Sequence, residues 1–186
     1  MKIYEYKDYN EYVENQTKAN KQKIGWKFVR PHAIKSIADD RGAKEVNFII
    51  CHGTRNGAEQ KMFKEHFPNA NVIGTEISDT ASQFEMTVQH DFAIQKEEWI
   101  SKADLVYSNS FDHSIDPVKT IQTWRDQLAE NGTLYIEYNE RLSVCEPVDC
   151  LDATTSEMED LITSNGLRIR TKFKGSQGSD VLVCEI

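Results

Sequence analysis

Hydrophobic positions along the chain change their spacing several times. Residues 46–51 are apolar and mostly branched apart from Asn47, and short enough for a buried strand. Over residues 58–67, Met62, Phe63 and Phe67 fall on one helical face, and Pro68 and Asn69 stop the run. Residues 71–77 read as a second strand with Glu76 at its end. Together these make a β-α-β unit of ordinary length. The alternation continues downstream. Residues 86–90 read as a short third strand and 103–109 as a buried fourth. Asp116-Pro117 opens a helix to about residue 130, with Val118, Ile121, Trp124, Arg125 and Leu128 spaced for one mostly apolar face. Glu130-Asn131-Gly132 turns the chain into a fifth strand, 133–138. A polar loop over 139–152 leads to a helix over 155–164, with acidic residues in its first turn and Asn165-Gly166 at its end. Residues 167–173 and 180–186 read as two strands joined by a glycine-containing turn.

The amino-terminal part has a different character. Tyr6, Tyr9, Tyr12 and Val13 predict a helix over about 6–23, whose Lys18, Lys21 and Lys23 form a basic end. That helix is either a solvated face or a lid over a ligand. Pro31 opens a second helix to about residue 39, which packs Ile34 and Ile37 on the sheet and ends at Gly42. The pattern predicts an α/β three-layer sandwich: a seven-stranded, mostly parallel sheet with an antiparallel last strand, plus amino-terminal helices. Residues 1–186 read as one domain, with 1–42 packing on or lidding a core over 43–186.

Composition narrows the classes. The net charge of −8 argues against a nucleic-acid duplex as partner, because phosphate binding needs a positive face. Four cysteines show neither a C-x-x-C pair nor zinc spacing, so they read as free thiols and no metal is expected. No apolar run has membrane length and the first twenty residues lack the pattern of a signal peptide, so a cytoplasmic protein is expected.

The chemistry centres on His52-Gly53-Thr54-Arg55-Asn56-Gly57, between the first strand and its helix. Glycine there lets backbone approach a ligand closely. Glu76, ending the next strand, is placed to accept from both hydroxyls of a ribose. A dinucleotide site would need G-x-G-x-x-G, and Arg55 stands where its second glycine belongs. The closing hairpin also argues against a dinucleotide fold, which needs a further parallel half. Read as C-x-G-x-R-N-G-x-E, the stretch resembles motif I of the class I, Rossmann-like S-adenosylmethionine-dependent methyltransferases. Cys51 replaces the acid that often helps fix the cofactor's methionine end in that family. Residues 44–138 follow the family's outline.

The resemblance implies S-adenosylmethionine as cofactor, held by Cys51, Gly53, Thr54, Arg55, Gly57, Glu76, Ile77, Asp91, Phe92 and Asn109. By position, Asp91 matches the acid that accepts from the adenine amino group and Phe92 the residue that packs on the ring. Alternatively, Asp91 caps a helix near Glu97–Trp99. Arg55 either neutralises the cofactor carboxylate or pairs with Glu59 one turn on. His113, just past the fourth strand, is the best-placed general base, with Asp112 to orient it or to act itself; otherwise both only cap the loop and the next helix. His52 reads as a turn residue and not a base. Two functions follow: methyl transfer to an unidentified acceptor, expected to be a small molecule, or non-catalytic binding of the same nucleoside on the same fold. The oligomeric state is not legible.

Overall fold

A computed structural model describes residues 1–186. Seven strands form the main sheet: β2 (Phe48–His52), β3 (Asn71–Glu76), β4 (Thr87–Gln89), β5 (Ala103–Ser108), β6 (Leu128–Tyr138), β8 (Arg168–Lys174) and β9 (Asp180–Glu185). Their order is β4-β3-β2-β5-β6-β9-β8. The pairs from β4 to β6 are parallel, and β9 is antiparallel to both of its neighbours. The sheet expected from the sequence is therefore present, reversed last strand included. A second sheet, with no periodic signal to announce it, pairs β1 (Lys2–Ile3) with β7 (Leu151–Asp152).

Both faces of the main sheet are covered. Ile49, Leu105, Tyr107 and Val183 face α2 (Pro31–Arg41) and α3 (Ala58–His66), packing on Ile34, Ile37 and Phe63. Ile50, Val106, Leu134 and Leu182 face the other way, toward Ile121 and Trp124 of α4 (Pro117–Gln127) and Met158 and Ile162 of α5 (Thr155–Ser164). Neighbours along each strand point to opposite faces, and both are apolar because both are buried. Thr154 starts α5 with a capping box, exchanging hydrogen bonds with Glu157.

Two helix ends differ from the sequence reading for reasons visible in the structure. α1 (Tyr9–Gln22) begins after Tyr6, because Asp8 accepts from the Glu11 N–H and caps it there. α4 stops at Gln127 and not at residue 130. Leu128 already pairs with Ala103, and the chain enters β6 through a shift of register. Gly132 permits this, since a Cβ there would sit 2.6 Å from the Ala103 carbonyl oxygen. The apolar face of α4 is also narrower than expected: Val118 is exposed, and Arg125 reaches out to the Asn165 carbonyl at 2.8 Å.

Candidate active site

Parallel strands gather their carboxyl ends on one edge of the sheet, and two cavities open there. The first, of about 220 Å³, lies among the ends of β2, β5 and β6 and the β8–β9 turn. The second, of about 50 Å³, lies between the ends of β2 and β3 and the inner face of α1. Gly53, Arg55, Ser110 and His113 wall both.

The turn after β2 fits closely against the turn after β5. Gly53 has φ +72°, and a Cβ on it would fall 2.6 Å from the Ser110 Cβ. Ser110 Oγ donates to the Gly53 carbonyl at 3.0 Å. Gly57, at φ +73°, precedes α3 in the left-handed region. Arg55 holds φ +43° without being glycine. Its guanidinium lies 4.9 Å from the Phe28 ring centre. Thr54 is buried beneath the turn, where its hydroxyl accepts from Gln60 Nε2 at 3.0 Å.

Glu76 closes one side of the second cavity. It is 7% exposed, so the open carboxylate that a ribose site suggests is instead drawn into the protein. Oε2 accepts from the Arg55 N–H at 3.1 Å and Oε1 from the Ser78 N–H at 2.9 Å. Burial raises its pKa, while the Ser78 hydrogen bond and the Arg55 charge oppose the rise. Each oxygen keeps a lone pair, so two ligand hydroxyls can still donate to it. Ile77, Asp91 and Phe92 line the same cavity. Asp91 does not cap the turn at Glu97–Trp99. Its Oδ1 accepts from the Ala93 N–H at 2.8 Å and its Oδ2 from the Tyr9 hydroxyl at 2.7 Å. Phe92 is buried edge-on to Trp124. α1 covers this half: Tyr12 Oη donates to the His113 carbonyl at 3.2 Å and Gln16 Nε2 to the Val148 carbonyl at 2.8 Å.

Asn109, Asp112 and His113 line the first cavity. His113 Nδ1 lies 2.8 Å from the Val148 carbonyl, which can only accept. That contact places the proton on Nδ1 and the lone pair on Nε2. Nε2 sits 3.8 Å from Asp112 Oδ1, so the Val148 carbonyl and not Asp112 orients the ring. Burial raises the pKa of Asp112; the His113 charge opposes this and the Asp149 charge adds to it. One ligand atom from each of Asp112, His113 and Asp149 lies within 4.8 Å of the others. Cys51 lines neither cavity. It is wholly buried in the core below them, and burial holds its thiol well above its usual pKa.

Sequence reasoning reaches Asp149 only as one polar residue of the 139–152 loop, and does not single out Glu137, Phe28 or the hairpin residues Ser176 and Ser179; all of these line the first cavity. They come from segments far apart in the chain and carry no shared motif. Glu59, the last letter of C-x-G-x-R-N-G-x-E, reads in the sequence only as a partner for Arg55. The two do not reach ion-pair distance, and Arg55 Nε is buried without a partner.

His52 is a core residue. It is 1% exposed, stacks on Trp124 with ring centres 4.9 Å apart, and meets Thr75 Oγ1 and Gln127 Oε1 at 3.0 and 2.8 Å. Burial pushes its pKa down to about 3. The folded value lies below the unfolded one near 6.5, so its stabilising share is complete above that pH and is lost as pH falls toward 3. The advantage of the parent over His52→Phe in urea unfolding is expected to shrink by about 2 kcal/mol between pH 7 and pH 5. A constant difference over that range would show that His52 titrates normally.

No protein-family model matches the sequence, and no curated protein matches it either. Solved structures do. The Burkholderia thailandensis 1,6-didemethyltoxoflavin-N1-methyltransferase, crystallised with 1,6-didemethyltoxoflavin and S-adenosylhomocysteine, aligns with a TM-score of 0.73 at 11% identity, over 97% of this chain and 90% of that one. The chain has the fold of the class I S-adenosylmethionine-dependent methyltransferases. An Aquifex aeolicus S-adenosylmethionine-dependent methyltransferase gives a TM-score of 0.64 at 11% identity, over 96% and 98% of the two chains. The mitomycin 7-O-methyltransferase MmcR gives 0.60 at 13% identity over 83% of this chain; the match spans 54% of that longer protein.

Proposed function

We propose that the chain binds S-adenosylmethionine across the two cavities and transfers its methyl group to a small-molecule acceptor in the first. The observation that carries this reading is the second cavity, with Glu76 facing it from the end of β3, the Gly53 turn at its side and Asp91-Phe92 on its wall. A buried carboxylate with free lone pairs suits a ribose diol, and a buried aromatic edge suits a base. The neighbours crystallised with S-adenosylhomocysteine support the same cofactor, and the toxoflavin enzyme supports a small acceptor.

When bound, S-adenosylmethionine supplies an electrophilic methyl group on a good leaving group. The chain's own task is to hold, align and keep water out. Glu59, Asp112, Glu137 and Asp149 outnumber Lys23 and Arg55 around the first cavity, a lining that favours a cationic guest. Tyr12, Gln16 and Asn20 narrow the second cavity, so α1 acts as a lid that lifts for a nucleoside and settles on it. An acceptor that arrives protonated loses its proton to His113 Nε2, with the imidazolium stabilised by Asp112.

His113→Ala is accordingly expected to lower turnover on such an acceptor about 100-fold or more, with S-adenosylhomocysteine affinity nearly unchanged. Steady-state kinetics beside calorimetric titration separates the two. Unchanged turnover would leave alignment alone as the mechanism. Saturable cofactor binding with no turnover across a varied acceptor panel would favour the non-catalytic reading.

A further inference from the structure

Large apolar side chains stand in solvent around the first cavity. Trp26 is 60% exposed and Leu142 62%, Phe28 is exposed as well, and all three line the cavity. Trp26 and Phe28 lie between α1 and α2, with ring centres 6.1 Å apart. Their backbone is strapped down from two sides. Asn56 Nδ2, in the glycine turn, donates to the Ile24 and Trp26 carbonyls at 2.8 and 2.9 Å. In the β8–β9 turn, Gln177 Nε2 donates to the Phe28 carbonyl at 3.1 Å, and Ser176 Oγ accepts from the Arg30 N–H at 2.9 Å. Apolar surface held in water on a fixed backbone gains free energy only when a guest covers it. The same cavity presents two open acids. Asp112 and Asp149 line it with side chains about a third exposed. Of the basic side chains around the cavity, only His113 comes within 4 Å of either, at 3.8 and 3.7 Å. Glu137 is different: it takes the Tyr107 hydroxyl on Oε2 at 2.7 Å and the Ser179 hydroxyl on Oε1 at 2.6 Å.

We propose that the first cavity takes an arylalkyl amine, with its ring covered by Trp26, Phe28 and Leu142 and its ammonium group met by Asp112 and Asp149. This rests on the reading above that places the methyl acceptor in the first cavity, and it names the acceptor's class. A neutral aromatic guest would leave both acids without a counter-ion, and an aliphatic cation would leave the exposed rings in water. One oxygen from each acid and a His113 nitrogen lie within 4.8 Å of one another, within reach of the three donors of a single ammonium group. Burial and the Asp149 charge both raise the Asp112 pKa, so a cation beside the two acids relieves their repulsion. As acceptor, the ammonium group gives one proton to His113 Nε2, which passes it to solvent. The freed nitrogen lone pair forms the bond to the methyl group and takes over the sulfonium's positive charge, leaving a neutral thioether. The product is again an ammonium ion, held by the same two acids.

Calorimetry near neutral pH on the full chain, saturated with S-adenosylhomocysteine, compares three probes. Tryptamine carries both features, tryptophol has a hydroxyl in place of the amine, and butylamine lacks the ring. Tryptamine is expected to bind saturably and about tenfold or more tighter than either of the others. Asp149→Asn, which preserves size, is expected to lower tryptamine affinity about tenfold and to leave tryptophol unchanged. Trp26→Ala is expected to weaken both indoles together by about three- to tenfold, and butylamine not at all. Undiminished binding of S-adenosylhomocysteine shows that each variant is folded. Equal affinity for tryptamine and tryptophol, or for tryptamine and butylamine, would overturn the assignment. So would the absence of tryptamine binding in a chain that does bind S-adenosylhomocysteine, and the cofactor reading would then stand. Failure of the parent to bind S-adenosylhomocysteine would overturn that reading and this inference with it.

Discussion

Glu76→Ala is expected to weaken S-adenosylmethionine and S-adenosylhomocysteine alike by about ten- to a hundredfold. A carboxylate that accepts from two ribose hydroxyls makes two charge-assisted hydrogen bonds, each worth about 1.5–3 kcal/mol. Part of that gain is offset because Glu76 is already buried and its oxygens already engaged by the Arg55 and Ser78 N–H groups. The same contacts change what happens without ligand. A carboxylate standing in open solvent would leave stability untouched when removed. Here removal strands two backbone donors, one of them fully buried, at a cost of about 1–3 kcal/mol. The expected fall in melting temperature is about 2–4 °C per kcal/mol for a chain of this size. Glu76→Gln keeps one accepting oxygen and should fall between the parent and Ala in both measurements. Equal cofactor affinity across parent, Gln and Ala would remove the ribose role.

Trp124→Ala is expected to cost about 3–5 kcal/mol, the range for deleting a fully buried aromatic. Trp124 is 0% exposed, lies parallel to His52, and meets the edges of Phe92 and Phe111 with ring centres 5.5 and 5.4 Å away. Its Nε1 donates to the Phe92 carbonyl at 3.0 Å, so it also fixes the residue that walls the second cavity. The substitution should therefore reduce nucleoside affinity as well as stability, although Trp124 touches neither cavity. Urea unfolding at neutral pH measures the first and calorimetry at a temperature where the variant stays folded measures the second. A loss below about 1 kcal/mol would mean that the core refills the space.

The sequence conveys the main sheet because most of its strands are apolar runs bounded by clear turns, from Gly53 and Gly57 to the closing hairpin. Glu76 is legible for the same reason: it stands one β-α-β unit after the glycine turn. What is not legible is how far each side chain is withdrawn from solvent. Cys51 and His52 sit next to the glycine turn in sequence, yet their strand points them into opposite core layers. Glu59 reads as a surface i,i+4 partner of Arg55, because a helical spacing says nothing about which face of α3 meets the sheet. Tyr9 reads as part of a helical stripe, whereas its hydroxyl bridges 82 residues to Asp91. The end of α4 is not legible, because Glu130-Asn131-Gly132 looks like a helix stop, while the chain leaves the helix three residues earlier to pair Leu128 with Ala103.

In the proposed function, the cleft above β2 and β3 takes the nucleoside of S-adenosylmethionine. Calorimetric titration of the unsubstituted protein with S-adenosylhomocysteine, with NAD as the control, tests it most directly. Saturable binding of one S-adenosylhomocysteine per chain is expected, with no measurable binding of NAD. Tight binding of NAD, or no binding of S-adenosylhomocysteine, would contradict it.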